Sequence, residues 1–164
     1  MQHWLRATLL LLWLGSGSIV HADPQLNFHF GAHNYGAEGT QSLLGVEAGY
    51  RFATPVSLNL GGHYLSTDLG GTATGFQQYR VSLGADYHFQ LWCLAPFEIS
   101  PGVGLAYALR DQESNVHIVG GYARAKILVP LVEGFAAGMV HRLDWNRFER
   151  PGREFAAVVR FTFQ

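Results

Sequence analysis

A chain of 164 residues with a formal charge of −1, 48% hydrophobic and 14% charged, has room for one domain. Its apolar and aromatic content excludes disorder, and the absence of a basic excess argues against a nucleic-acid binder. The single cysteine, Cys93, excludes an intramolecular disulfide framework and any multi-cysteine zinc site.

The chain opens with a short head ending in Arg6, an apolar block at Ala7–Leu14, and a run of small residues ending in Val20-His21-Ala22. This is the layout of a cleaved secretory signal: a charged start, a short greasy centre, and compact residues at −3 and −1 of the cut. The apolar block is less than half of the roughly 20 residues that a membrane-spanning helix needs. Residues 1–22 are expected to be removed, leaving residues 23–164 as a barrel domain. No cysteine follows the cut, so a lipid anchor is not expected.

After Ala22 the apolar residues recur every second position, the period of a strand with one greasy face. Leu26, Phe28 and Phe30 alternate with Asn27, His29 and Gly31. Leu44, Val46, Ala48, Tyr50 and Phe52 alternate with Gly45, Glu47, Gly49 and Arg51. A third segment, Val56 to Ser66, carries Leu58, Leu60 and Tyr64 on one face. In the fourth, Tyr79, Val81, Leu83, Ala85, Tyr87 and Phe89 oppose Arg80, Ser82, Gly84, Asp86 and His88. The fifth runs from Phe97 to Leu109, with Glu98, Ser100, Gly102 and Gly104 opposite the apolar set. The sixth (Val116 to Val129) sets Val119, Ala123, Ala125 and Ile127 against Tyr122, Arg124 and Lys126. In the seventh, Phe135, Ala137, Met139 and Leu143 oppose Gly138, Arg142 and Asp144, and the last alternates from Glu154 to Phe163. Eight strands of roughly 10–13 residues suit a bilayer, which a tilted strand crosses in about 9–11. The joins after strands two, four and six carry Pro55, Pro96 and Pro130. The other four joins, 34–42, 66–75, 110–115 and 146–153, are polar and mostly longer. Short turns at one end and polar loops at the other are the pattern of a transmembrane barrel with both termini on the short-turn side.

The polar face is mainly glycine, alanine and serine, with isolated charges of both signs: Glu47, Arg51, Arg80, Asp86, Glu98, Arg124, Lys126, Arg142, Glu154 and Arg160. That composition suits the interior of an eight-stranded barrel, which side chains just fill. These ions are expected to pair between neighbouring strands, because an unpartnered buried charge is too costly to keep. The apolar face is aliphatic in its middle and aromatic at its ends, as two interfacial girdles require. The reading is an all-β, eight-stranded antiparallel up-and-down transmembrane β-barrel with a side-chain-filled interior.

The mature chain resembles the small eight-stranded outer-membrane barrels of Gram-negative bacteria, the OmpA-barrel, OmpX and opacity-protein group. The feature that carries the resemblance is the last strand, Phe155-x-Ala157-x-Val159-x-Phe161-x-Phe163. In that group an alternating strand ending in phenylalanine is the signal read by the barrel-assembly machinery, which implies that role for Phe155, Val159, Phe161 and Phe163. Here Gln164 follows the phenylalanine, a departure of one residue. The resemblance implies residence in the cell outer membrane among its lipids and lipopolysaccharide.

An enzyme family of similar size, the lipid A deacylases, carries His-x-Ser on strand seven and a glutamate further on. The corresponding residues here are His141-Arg142-Leu143 and Glu154. Leucine replaces the nucleophile, and parity puts Glu154 on the face opposite His141, so no catalytic residues are expected. His29, His33, His63 and His88 read as lumen-filling hydrogen-bond partners rather than metal ligands; a cross-barrel pair of His33 and His63 is the metal alternative. Arg147, Arg150 and Arg153 crowd around Pro151-Gly152 in the last loop. Guanidinium groups bind phosphate by paired hydrogen bonds, so these three are the candidate lipopolysaccharide contact. The expected function is a monomeric structural or surface-interaction barrel, without cofactor, metal or nucleic-acid partner. A lipid A-modifying enzyme and a soluble periplasmic ligand-binding barrel are the alternatives.

Overall fold

The computed structural model describes residues 23–34, 39–52, 54–66, 77–90, 97–111, 116–146 and 151–163. Eight strands follow one another: β1 Asp23–Asn34, β2 Thr40–Arg51, β3 Val56–Ser66, β4 Gln77–Tyr87, β5 Glu98–Asp111, β6 Val116–Val132, β7 Phe135–Asn146 and β8 Gly152–Thr162. Each pairs antiparallel with its neighbours in sequence, and β1 pairs with β8 from Gln25↔Thr162 to Asn34↔Arg153. The sheet therefore closes, and every strand has a partner on both sides. A 12-residue strand such as β1 is about 40 Å long, which at the tilt of an eight-stranded barrel covers about 30 Å along the axis. That matches the hydrocarbon thickness of a bilayer.

The alternation expected from the sequence is the alternation observed. Leu83, Val103, Leu105 and Val119 are 59 to 68% exposed around the middle of the barrel. Arg80, Asp86, Arg124, Lys126, Glu154 and Arg160 on the other face are buried. Aromatic rings collect at both ends of the exposed face. Tyr50 packs on Phe52, Tyr87 on Phe89 and Phe135 on Phe161 at the turn end. Tyr64 packs on Tyr79 toward the other end, where Trp145 also lies exposed. Tyr35, Trp92 and Phe148 lie outside the described residues.

Parity also turns inward residues whose chemistry does not announce it. Leu43, Leu65, Leu128, Val140, Ala156 and Val158 form a buried apolar cluster inside the barrel. Tyr122 is buried as well, and the space for its ring comes from two glycines. A Cβ on Gly84 would overlap the tyrosine hydroxyl, and one on Gly104 would come within 2.6 Å of the ring.

The joins differ from expectation in two places. Pro130 is not in a turn: β6 runs through it to Val132, with a register shift between Pro130 and Val132. A proline has no N–H for the ladder, so it is tolerated at such a bulge. The turn that follows is Glu133-Gly134, where Gly134 has φ +73°, a conformation that other residues adopt at a cost. Two of the polar loops are shorter than read from the sequence, since β2 begins at Thr40 and β8 at Gly152. β4 is interrupted at His88 and resumes on the same register as Phe89–Gln90. On that register Pro101, again without an N–H, stands opposite Tyr87. Pro96 lies outside the described residues.

Replacing Gly104 with leucine should displace Tyr122 and lower stability by about 1–3 kcal/mol, the usual range for overpacking. Urea unfolding of the detergent-folded barrel, followed by tryptophan fluorescence, measures it.

Candidate functional site

All ten charged residues assigned to the interior by parity lie on the inner face, and nine of them pair across the lumen rather than between neighbouring strands; Arg142 pairs instead with Asp144, two residues along its own strand. Arg124 on β6 grips Asp86 on β4 with two parallel bonds, Nε to Oδ1 at 2.8 Å and Nη2 to Oδ2 at 2.9 Å. Its Nη1 donates to Glu47 on β2. Lys126 completes the group, donating to Glu47 Oε1 at 2.6 Å and lying 2.9 Å from Asp86 Oδ2. The correction has a physical cause. The ladder partners of Glu47 are Asn27 and Gly61, neither of which can neutralise it, while the narrow bore lets long cationic side chains reach the far wall. These four residues, two anions and two cations, carry no net charge and are at most 5% exposed.

Two further clusters flank this quartet. At the turn end Glu98 accepts from Arg160 Nη1 at 2.6 Å and lies 2.8 Å from His88 Nδ1. Arg51 reaches the same carboxylate at 3.4 Å. His88 Nε2 lies 2.9 Å from Ser57 Oγ, and Arg160 Nε donates to Asn27 Oδ1 at 3.1 Å. Toward the loop end Arg80 on β4 donates to Glu154 on β8 and to Asp144 on β7, the latter at 3.1 Å. Arg142 donates to Asp144 Oδ1 from Nη2 at 2.6 Å, and its guanidinium lies 3.7 Å from the centroid of the Tyr122 ring, a cation–π arrangement. Asp144 was visible on the polar face of the sequence but is the member of the network that parity alone did not single out. Beside Arg80 lies a cavity of about 40 Å³, lined by His33, Gln78, Arg80, Asp144 and Asn146 among others.

The histidines divide. His88 is hydrogen-bonded as expected, and His33 Nδ1 lies 3.5 Å from Arg80 Nη1. His29 departs from expectation, since neither of its ring nitrogens has a hydrogen-bond partner, and His63 Nδ1 lacks one too. Instead the two rings meet edge to face with centroids 5.4 Å apart. One atom from each of His29, His63 and Glu154 lies within 4.8 Å of the others, and the same holds for His33, Asp144 and Glu154. Nothing in the i, i+4 spacing of one strand brings such atoms together. The signal was in the hairpin register: both His29 and His63 stand beside Gly45.

His141 lies on the outer face, stacked on Phe155 with ring centroids 4.3 Å apart. The register is regular there, Ala125↔His141↔Phe155, so no bulge turns it inward. Glu154 is in the lumen, and the two cannot act as an acid–base pair. Of the loop arginines, Arg153 is exposed at the start of β8; Arg147 and Arg150 lie outside the described residues, as does Cys93. Phe155, Phe161 and Phe163 are exposed on the outer face, and Val159 is half-buried.

No protein-family model matches the chain, and a search of curated proteins finds no match. Solved structures do match. Neisserial surface protein A superposes with a TM-score of 0.66 at 16% identity, over 87% of this chain and 97% of that one. The N-terminal β-barrel domain of OprF from Pseudomonas aeruginosa gives 0.63 at 17% identity, over 87% and 100%. Ail, the attachment invasion locus protein of Yersinia pestis, solved with the heparin analogue sucrose octasulfate, gives 0.62 at 7% identity, over 88% and 100%. The fold is that of the small eight-stranded outer-membrane barrels.

Removing Glu47 alone leaves an excess buried cation. Glu47→Leu should cost about 3–5 kcal/mol, and adding Lys126→Met should restore most of it, because Arg124 and Asp86 still pair. Urea midpoints of the two variants in the same detergent check this.

Proposed function

We propose that the chain is exported by its 1–22 leader and inserted in the cell outer membrane as a monomeric structural or surface-interaction barrel without enzymatic activity. The observation that carries this reading is the inverted burial. Aliphatic side chains encircle the middle of the outside, while paired ions, histidines and amides fill the inside. In water that arrangement exposes a continuous apolar belt with nothing to offset it, and in a bilayer the same belt is solvated by acyl chains. The filled lumen supports a brace more than a channel or a ligand cup, because eight strands leave room for side chains alone. It counts against the soluble ligand-binding alternative. His141 and Leu143 in place of a His-x-Ser pair count against the lipid A enzyme. The phenylalanines of β8, with Val159, serve as the barrel-assembly signal in this reading.

The finer proposal places lipopolysaccharide phosphates against Arg147, Arg150 and Arg153. It is supported by the chemistry of guanidinium and phosphate, by the exposure of Arg153 at the loop end of β8, and by Ail, a barrel of the same fold that takes a polyanionic sugar. Changing the three arginines to serine should weaken lipopolysaccharide binding to the folded barrel; equal binding would reject the contact.

Membrane residence is tested by fractionation: the chain should sediment with outer membranes and need detergent for release. An arginine at Leu105, midway along β5, should lower folding stability in lipid vesicles by about 2–4 kcal/mol. An exposed site on a water-soluble barrel would tolerate the same change.

A further inference from the structure

We propose that the lumen holds a binding site for a zinc-class divalent transition-metal ion, with His29, His63 and Glu154 as its protein ligands. His29 on β1 and His63 on β3 flank Gly45 of β2 in the ladder. A Cβ at Gly45 would overlap the His63 ring, so the glycine is what allows the two imidazoles to converge. One ligand atom from each of the three residues already lies within 4.8 Å of the others. Bonds of about 2.0–2.2 Å to zinc place tetrahedral ligands about 3.4 Å apart, a closure within reach of modest ring rotations.

The unsatisfied nitrogens are the independent observation. His29 and His63 are 1% and 5% exposed, yet both nitrogens of the first and Nδ1 of the second have no hydrogen-bond partner. Buried polar atoms without partners are costly and rare. A cation that accepts two imidazoles and a carboxylate would remove that cost. Two nitrogen donors in three favour zinc, copper or nickel over magnesium or calcium, which prefer oxygen. Three protein ligands leave a fourth position for water.

Glu154 can serve both neighbours, since it binds Arg80 through Oε2 and a carboxylate has two oxygens. Arg80 also keeps its 3.1 Å bond to Asp144. Arg80 and Arg142 lower the affinity for any cation, which sets this site apart from a tight structural one. In the adjoining trio the donors are engaged already: His33 faces Arg80, and Asp144 accepts from Arg142.

The test uses the folded full chain in detergent, stripped with chelator and dialysed against zinc chloride, with bound metal counted by mass spectrometry. The expected result is one zinc per chain. His29→Gln and His63→Gln, neither of which breaks an ion pair, should each lower the affinity at least about tenfold, the loss that even outer-shell changes cause. His117→Gln, on the outer face beside Tyr107, should not. X-ray absorption of the zinc-loaded parent chain, which needs no variant, should report two imidazole ligands. No bound zinc, unchanged binding in His29→Gln or His63→Gln, or a coordination shell with fewer than two imidazoles would each overturn the proposal. The measurement does not depend on which membrane holds the barrel, so its failure leaves the outer-membrane reading standing, and the reverse.

Discussion

Glu47, Asp86, Arg124 and Lys126 meet inside the barrel with no room for a compensating shell of solvent. Four charges in such a place are tolerable only as a complete set. The set is complete only when β2, β4 and β6 stand on one ring with these residues turned inward. A slip of one residue on any of the three would send a charge to the apolar outside. The quartet is thus weak evidence for stability as such, since buried ion pairs often do no better than apolar packing. It is better understood as the condition that selects one register and one closure for the sheet.

The two ends of the lumen are finished differently. At the turn end Glu98 gathers Arg160, His88, Ser100 and Arg51 into one cluster around a single carboxylate. Toward the loop end the network loosens. His33, Arg80 and Asp144 line a small cavity, and His29 and His63 have nitrogens without partners.

The period of two in segments such as Tyr79–Phe89 was enough to sort inside from outside, and with it the strand number and the ion network apart from Asp144. Partner choice was not legible. Parity says that Glu47 and Arg124 both face inward, but it carries no information about which strands lie opposite each other across a tilted, closed sheet. Leu43 and Leu65 face the lumen by register alone, although their chemistry reads as lipid-facing. Pro130 read as a turn because proline so often is one, whereas a bulge lets it stay in the strand. The meeting of His29 and His63 depends on the alignment of two hairpins, a quantity that composition does not encode.

The seam between β1 and β8 joins Asn27 to Arg160 and Phe28 to Val159, residues from opposite ends of the chain. Every other pairing is a hairpin that can zip from its own turn. Drawing the termini together has the largest loop-closure entropy of any pairing in the molecule, and contacts so distant in sequence form slowly. The hairpins can therefore assemble first as an open, curled sheet, with the first and last strands waiting for each other. During that interval both free rims offer unsatisfied N–H and C=O groups to any strand nearby. A helper that shields or templates those rims would govern how fast the cylinder is completed.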